Sequence, residues 1–201
     1  VRRNYVLIDY ENVQPESLKG LDAEHFRVLL FVGATQTKVS YEIAEGMQRL
    51  GSRAQYVKMA GKGSNALDFH IAFYIGYLAA NDPTAFFHII SKDTGFDPLV
   101  QHLKTNKVFI VRSKAIESIT LVKVANSKTL PDRVAVLVAD LKKRGTARPK
   151  SVKTLTSTVA SVFQKQLKEP ELAELIAELQ RRGFISLHEA KVSYALPEGD
   201  P

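Results

Sequence analysis

No cysteine and no tryptophan occur among the 201 residues, and there are only two methionines. The missing cysteine excludes a disulfide framework, thiolate-bound zinc, iron–sulfur clusters and a thiol nucleophile. It is compatible with a reducing compartment. Long apolar runs are missing as well. The longest, Ile71 to Ala80, falls well short of the ~20 residues that a membrane-spanning helix needs. The opening Val1-Arg2-Arg3-Asn4-Tyr5 has no apolar core of the kind a secretory signal carries. A cytoplasmic protein without a membrane partner is therefore expected, and an opening Val is compatible with a trimmed start. There is no internal repeat and no low-complexity tract.

What is present is ordinary globular composition, with 45% hydrophobic and 24% charged residues. A chain of this length buries a real core without staples. The formal charge is +7, unevenly spread. Residues 1–112 carry 13 Lys/Arg against 11 Asp/Glu, whereas residues 113–201 carry 15 against 10. A basic excess favours polyanionic partners, although solubility alone accounts for it equally well.

The first half alternates two patterns. Short apolar, β-prone runs occur at Tyr5–Ile8, Arg27–Val32, Ala54–Met59, Phe86–Ile90 and Lys107–Val111. Helical spacing separates them at 39–50, 66–80 and about 95–104, with Gly51 as a stop and Asn65 as an expected cap. Apolar strands separated by helices predict a parallel sheet covered on both faces. The aromatic set Phe69, Phe73, Tyr74 and Tyr77 on the second helix reads as core rather than as a base-stacking platform.

The second half differs. Residues 114–127 read as helical, and Pro131 to Arg144 as an amphipathic helix with Pro in its first turn and Gly145 after its end. Two more helices, at 154–166 and 170–182, precede a hairpin at 184–187 and 191–195. Three helices followed by a hairpin is the order of a small winged-helix-like domain. The expected division is 1–127 and 128–201.

In a parallel sheet, ligands bind beyond the carboxyl ends of the strands. Asp9 ends the first strand, Asp93 follows the fourth, and Asp97 lies one helical turn further on. Asp68 shares a helix face with Ile71, Ala72, Ile75 and Leu78, where an unpaired carboxylate is costly or takes up a proton. Each acid has a plain structural reading. Asn65 with Asp68, and Thr94 with Asp97, have the spacing of capping boxes, and Asp9 and Asp93 suit Asx-turns. All four at one sheet edge, without nearby Cys or paired His, suit a hard cation such as Mg²⁺ or Mn²⁺. Such an ion activates water and stabilises charge on a phosphodiester. His25, His70, His88, His102 and His188 show no ligand-pair spacing, and Gly61-Lys62-Gly63-Ser64 is too short for a nucleotide-binding loop.

Three stretches carry a resemblance: Leu7-Ile8-Asp9-Tyr10-Glu11-Asn12-Val13, Lys62-Gly63-Ser64-Asn65-Ala66-Leu67-Asp68, and Ile90-Ser91-Lys92-Asp93-Thr94-Gly95-Phe96-Asp97. Over about residues 4–112 the chain resembles the PIN-like nucleases, specifically their NYN-type branch. That family sets a first Asp after strand one, often with Asn three residues on. A second acid sits in a helix after a Lys/Gly loop, and two more follow strand four. The resemblance implies a metal-dependent nuclease acting on RNA. It implies that Asp9, Asp68, Asp93 and Asp97 bind the metal or its waters. Asn12 would bond near the metal or phosphate, Ser91 would fix a carboxylate, and Lys62 and Lys92 would contact phosphate. Thr94 and Glu11 count as supporting residues. Two departures stand out. Lys92 replaces a small or neutral residue of many relatives, and Glu11 adds a carboxylate that could coordinate metal, hold a cation or be idle.

Between Lys142 and Lys153 lie six basic residues and no acid. Lys142, Lys143, Arg148 and Lys150 suit phosphate contacts, or equally a solvated helix end. The third C-terminal helix carries Glu169, Glu171, Glu174 and Glu178, which makes it a poor groove reader. That module is expected to bind RNA through its basic loop or else a protein. Association with a second copy of the chain is left open.

The expectation is a ribonuclease, endonucleolytic and favouring single strands. One rival is a haloacid-dehalogenase-type phosphatase, which needs an Asp where Glu11 stands and leaves Asp68 unexplained. Another is a non-catalytic RNA- or protein-binding module on the same fold.

Overall fold

Tyr5 to Ile8 form the centre of β1 (Asn4–Asp9), and every residue of that strand is buried. Burial on both faces is why the run is apolar without alternation. In this computed structural model, residues 2–61, 63, 65–127, 129–163, 165 and 167–197 are described. Four further strands, β2 (Phe26–Val32), β3 (Ala54–Lys58), β4 (Phe86–Ile90) and β5 (Phe109–Ser113), complete a sheet of order β3-β2-β1-β4-β5. Every pairing in it is parallel. Successive side chains of β1 go to opposite faces. Val6 and Ile8 pack with Ile43, Met47 and Leu50 of α1 (Tyr41–Leu50) and with Ile116, Ile119 and Val122. Leu7 packs with Leu67, Ile71 and Ile75 of α2 (Ala66–Asn81) and with Phe96 and Val100 of α3 (Phe96–Thr105).

Local chemistry sets the boundaries. Ser40 caps α1 by accepting from the Ile43 N–H, and Gly51 ends it at φ 57°, a conformation that favours glycine. The fifth strand begins two residues later than its apolar pattern implies. Lys107 and Val108 donate back to the carbonyls of Lys104 and Leu103, and Lys107 takes φ 63°, so both residues finish the helix turn. Residues 114–127 are not one helix. A 3₁₀ turn, Ile116–Ser118, is separated from α4 (Thr120–Asn126) by extended Ile119.

The chain divides into two compact units, residues 1–122 and 123–201, five residues before the boundary read from the sequence. The second unit contains α5 (Leu130–Arg144), α6 (Val152–Val162), α7 (Glu169–Arg181) and the hairpin β6 (Ile185–His188) with β7 (Lys191–Tyr194). An isolated bridge joins Ser151 to Lys191. Leu137, Leu141, Leu155, Val159, Leu175 and Leu179 are fully buried at its centre. Thr129 and Asp132 form the capping box that starts α5, with Pro131 in the first turn. Two acids of α7 are committed internally. Glu171 pairs with Arg133 at 2.8 Å, and buried Glu178 pairs with Arg182 at 2.7 Å and with Arg181. Among the described residues no helix is long and apolar enough to cross a membrane.

The aromatic set of α2 departs from expectation. Tyr74 is half-buried and meets Phe31 edge-on, but Phe69, Phe73 and Tyr77 are 71%, 65% and 59% exposed. The helix buries Leu67, Ile71 and Ile75, and the three rings lie on the other side.

Candidate active site

The sheet order reverses direction at β1 and β4, since β2 lies on one side of β1 and β4 on the other. The crevice at such a switch point is where α/β sheets take their ligands. A cavity of about 290 Å³ opens there, and its walls include Asp9, Glu11, Asn12, Asp68 and Asp93.

Asp9 is 1% exposed, so its carboxylate needs partners. Oδ2 accepts from Ser91 Oγ at 2.8 Å, and Oδ1 accepts from the Asn12 N–H at 3.2 Å. Ser91, itself fully buried, also accepts from the Asp93 N–H at 3.0 Å. One hydroxyl thus joins the ends of β1 and β4 and sets Asp93 beside Asp9. Asp93 Oδ1 accepts from the Gly95 N–H at 2.7 Å, closing an Asx-turn. The same side chain both closes this turn and lines the cavity. Asn12 lines the cavity beside them.

Asp68 is half-buried in the first turn of α2. Its carboxyl is held above the ordinary carboxylate range, first by burial and then by the charges of Asp9, Asp93 and Glu11. The capping box that would explain it structurally does not form. Asn65 sits at φ 58° in the left-handed region and makes no side-chain cap bond. Nor does Thr94 cap α3 with its side chain; Gly95 occupies the cap, and the exposed Thr94 supplies only its carbonyl, to the Asp97 N–H.

Asp97 is placed apart from the other three aspartates of the expected quartet. It does not line the cavity with the other three acids. Its two oxygens accept from Arg112 Nε at 2.7 Å and Nη2 at 3.0 Å. Arg112 lies near the end of β5 with its side chain 13% exposed, and a guanidinium so placed needs a carboxylate. The pairing holds the Asp97 carboxyl below its usual range. Arg112 Nη1 also donates to the Ser91 carbonyl at 3.1 Å. It therefore clamps both sides of the segment that carries Asp93.

Glu11 lies over Gly33 in the cavity wall; a Cβ on Gly33 would fall 1.6 Å from Glu11 Oε1. Glycine is the residue that lets Glu11 occupy that position. Ala34, Thr35 and Met59 also line the cavity. Lys58 Nζ holds the Gly33 carbonyl at 2.7 Å and also bonds the Gln36 carbonyl. Sequence reasoning missed this wall and Arg112. The available signals were Gly33 at the carboxyl end of the second strand and a lone cation closing the apolar run of the fifth.

The basic candidates separate. Lys62 lies outside the described residues, as does Ser64. Lys92, Lys143 and Lys150 are exposed, and Lys142 is half-buried. Arg148 is engaged within its own unit. It donates to the Leu141 carbonyl at 2.8 Å and lies 5.7 Å from the Tyr194 ring centroid, so it closes the end of α5. His88 is buried in β4 with Nε2 3.0 Å from Asn4 Oδ1, remote in role from the cavity.

Among the described residues no three carboxylate or imidazole side chains close tightly enough to enclose a metal ion. The carboxylates ring the cavity without converging on one point. Their chemistry nonetheless fits a hard cation. The donors are oxygens, no histidine lines the cavity, and the Asp68 carboxyl is raised by burial and then by the charges of Asp9, Asp93 and Glu11. Comparison with known proteins supplied one finding. A family model described as PIN domain matches residues 3–113. No curated protein and no solved structure matches. The matched span covers more than half of the chain and contains the whole parallel sheet together with the cavity acids. The chain belongs to the PIN domain family, whose fold is that of metal-dependent nucleases.

Proposed function

We propose that this protein is a ribonuclease that hydrolyses phosphodiesters of single-stranded RNA endonucleolytically, using Mg²⁺ or Mn²⁺ held by Asp9, Asp68 and Asp93 with Glu11 beside them. The observation that carries the reading is the gathering of these like charges at one cavity, where burial first and then the neighbouring charges raise the Asp68 carboxyl. Such a group is unfavourable without a cation and favourable with one. A bound cation would supply Lewis acidity toward phosphate and acidify water. The chain's own residues do the rest. Ser91 holds the Asp9 carboxylate in one orientation, and its link to the Asp93 N–H keeps the two acids in register. Asn12 offers an amide at the cavity wall for phosphate or water. Exposed Lys92 lies next to Asp93, within reach of a polyanion. Arg112 keeps Asp97 out of the donor set and restrains the Asp93 segment.

The motif order supports placement in the NYN-type branch. The order α5, α6, α7 and hairpin supports reading residues 128–201 as winged-helix-like. Purified protein is expected to cut labelled RNA internally with Mn²⁺ or Mg²⁺ and to lose that activity in EDTA. Hydrolysis of a small phosphomonoester alone would instead favour the phosphatase reading. No cleavage with RNA binding retained would favour the non-catalytic module.

The C-terminal unit would add affinity without sequence preference. Lys143, Lys150 and Lys153 are exposed, so together they offer up to three phosphate contacts. Each contact contributes ~0.7 to the slope of log affinity against log salt for a single strand. Replacing all three by Ala is expected to flatten that slope by about 2 and to leave metal affinity unchanged. Filter binding across a salt series measures it. An unchanged slope would make this surface merely solvated and favour a protein as the partner of the C-terminal unit.

A further inference from the structure

Helix α2 has the sequence of a buried helix, apolar on nearly every side, whereas a helix at a protein surface carries a polar face. Leu67, Ile71 and Ile75 are buried against the sheet. The opposite stripe, Phe69, Phe73, Gly76, Tyr77 and Ala80, is exposed. The Phe73 and Tyr77 rings already stack on each other, with centroids 6.2 Å apart and planes 12° apart. Between Ala66 and Asn81 there is no Lys, Arg or Glu, and the one acid, Asp68, lines the cavity instead.

We propose that this stripe is the contact surface for a second copy of the chain, formed by α2 against α2 about a two-fold axis. In a two-fold contact a patch meets itself, so it must be self-complementary. In such a contact a patch with net charge of one sign repels its own image. The α2 stripe bears no charge and meets its own image without that cost. Gly76 sits between the aromatic residues with nothing within 4 Å of where a Cβ would stand, which leaves room for a close helix approach. At 150–250 Å² per aromatic side chain, the exposed parts of the three rings offer roughly 300–500 Å² per copy. A standard interface buries ≈800 Å² per partner, so the rings supply about half and the dimer is expected to be reversible. Single-stranded RNA is the weaker occupant. A stacking platform works beside cations that track the phosphates, and α2 has none. This inference stands apart from the nuclease reading and does not depend on it.

The test is the solution mass of the full chain by sedimentation or light scattering across a micromolar concentration series. Wild type is expected to rise from the 22.3 kDa monomer toward twice that mass. Phe73→Lys is expected to stay monomeric, with dimer affinity lowered at least tenfold and melting of the dilute protein unchanged, because Phe73 is exposed in the monomer. Tyr41→Lys, at a tyrosine 76% exposed on α1, is expected to leave the mass curve unaltered. A wild-type chain that stays monomeric throughout would overturn the proposal, as would a Phe73→Lys variant that still dimerises. A Phe73→Lys variant that loses RNA affinity without any change in mass would also overturn it and would make the stripe a base-stacking platform.

Discussion

Asp68→Asn is expected to reduce RNA cleavage by at least about 10²-fold, the scale on which one charge-stabilising group acts. The same change is expected to raise the melting temperature of the metal-free protein. The two effects have one origin. In the folded chain the Asp68 carboxyl is raised above its ordinary range by burial and by Asp9, Asp93 and Glu11. A raised carboxyl means that the folded state binds more protons than the unfolded state between the two values, so stability falls as pH rises through that window. The penalty is complete above the raised value and absent below the ordinary carboxylate range. Asparagine carries no charge and escapes it. The variant's melting curve should therefore be flatter from mildly acidic to neutral pH, crossing above wild type as Asp68 ionises. Mn²⁺ should raise the melting temperature of wild type, because a ligand bound only by the folded state stabilises it, and should do little for the variant. A melting temperature that drops while cleavage persists would make Asp68 a structural group.

Arg112→Ala is expected to lower cleavage by about 10–100-fold, the usual cost of losing a group that orients metal-site side chains. Arg112 does not line the cavity, so it is a positioning residue. It grips the Asp97 carboxylate and the Ser91 carbonyl, and Asp93 lies between those two anchors. Without the guanidinium, the segment loses both restraints, and a carboxylate displaced by an ångström is a poor metal ligand. The loss should appear in kcat and in Mn²⁺ affinity, with KM for RNA little changed. Arg112→Lys should recover only part of it, because an ammonium cannot reproduce the planar two-pronged contact. Full activity with a lowered melting temperature alone would reduce Arg112 to a fold-stabilising pair.

The parallel sheet was legible because its central strands β1, β2 and β4 are near-continuous apolar runs with helical spacing between the strands. The three aspartates that line the cavity were legible as candidates because they end strands or interrupt an apolar face. Asp97 misled for a definable reason. Its spacing from Asp93 is right for a shared side, but the side chain answers to Arg112, fifteen residues later on the next strand, and no local pattern reveals which carboxylate a guanidinium will take. The α2 aromatics misled because periodicity reports that a residue is apolar, not that something in the same chain covers it. The wall formed by Gly33, Ala34 and Thr35 carries no charge, and its one signal was the position of Gly33 at the carboxyl end of the second strand. Its role follows from the sheet order, which brings the end of β2 next to that of β1.

The central claim is that Asp9, Asp68 and Asp93 hold a divalent cation. The most direct measurement is an anomalous difference map from crystals grown with Mn²⁺, for wild type and for Asp68→Asn. The expected result is a manganese peak inside the cavity within bonding reach of all three carboxylates in wild type, lost or displaced in the variant. A cavity without manganese in crystals of protein that still cleaves RNA, or a peak on Asp97 instead, would contradict it.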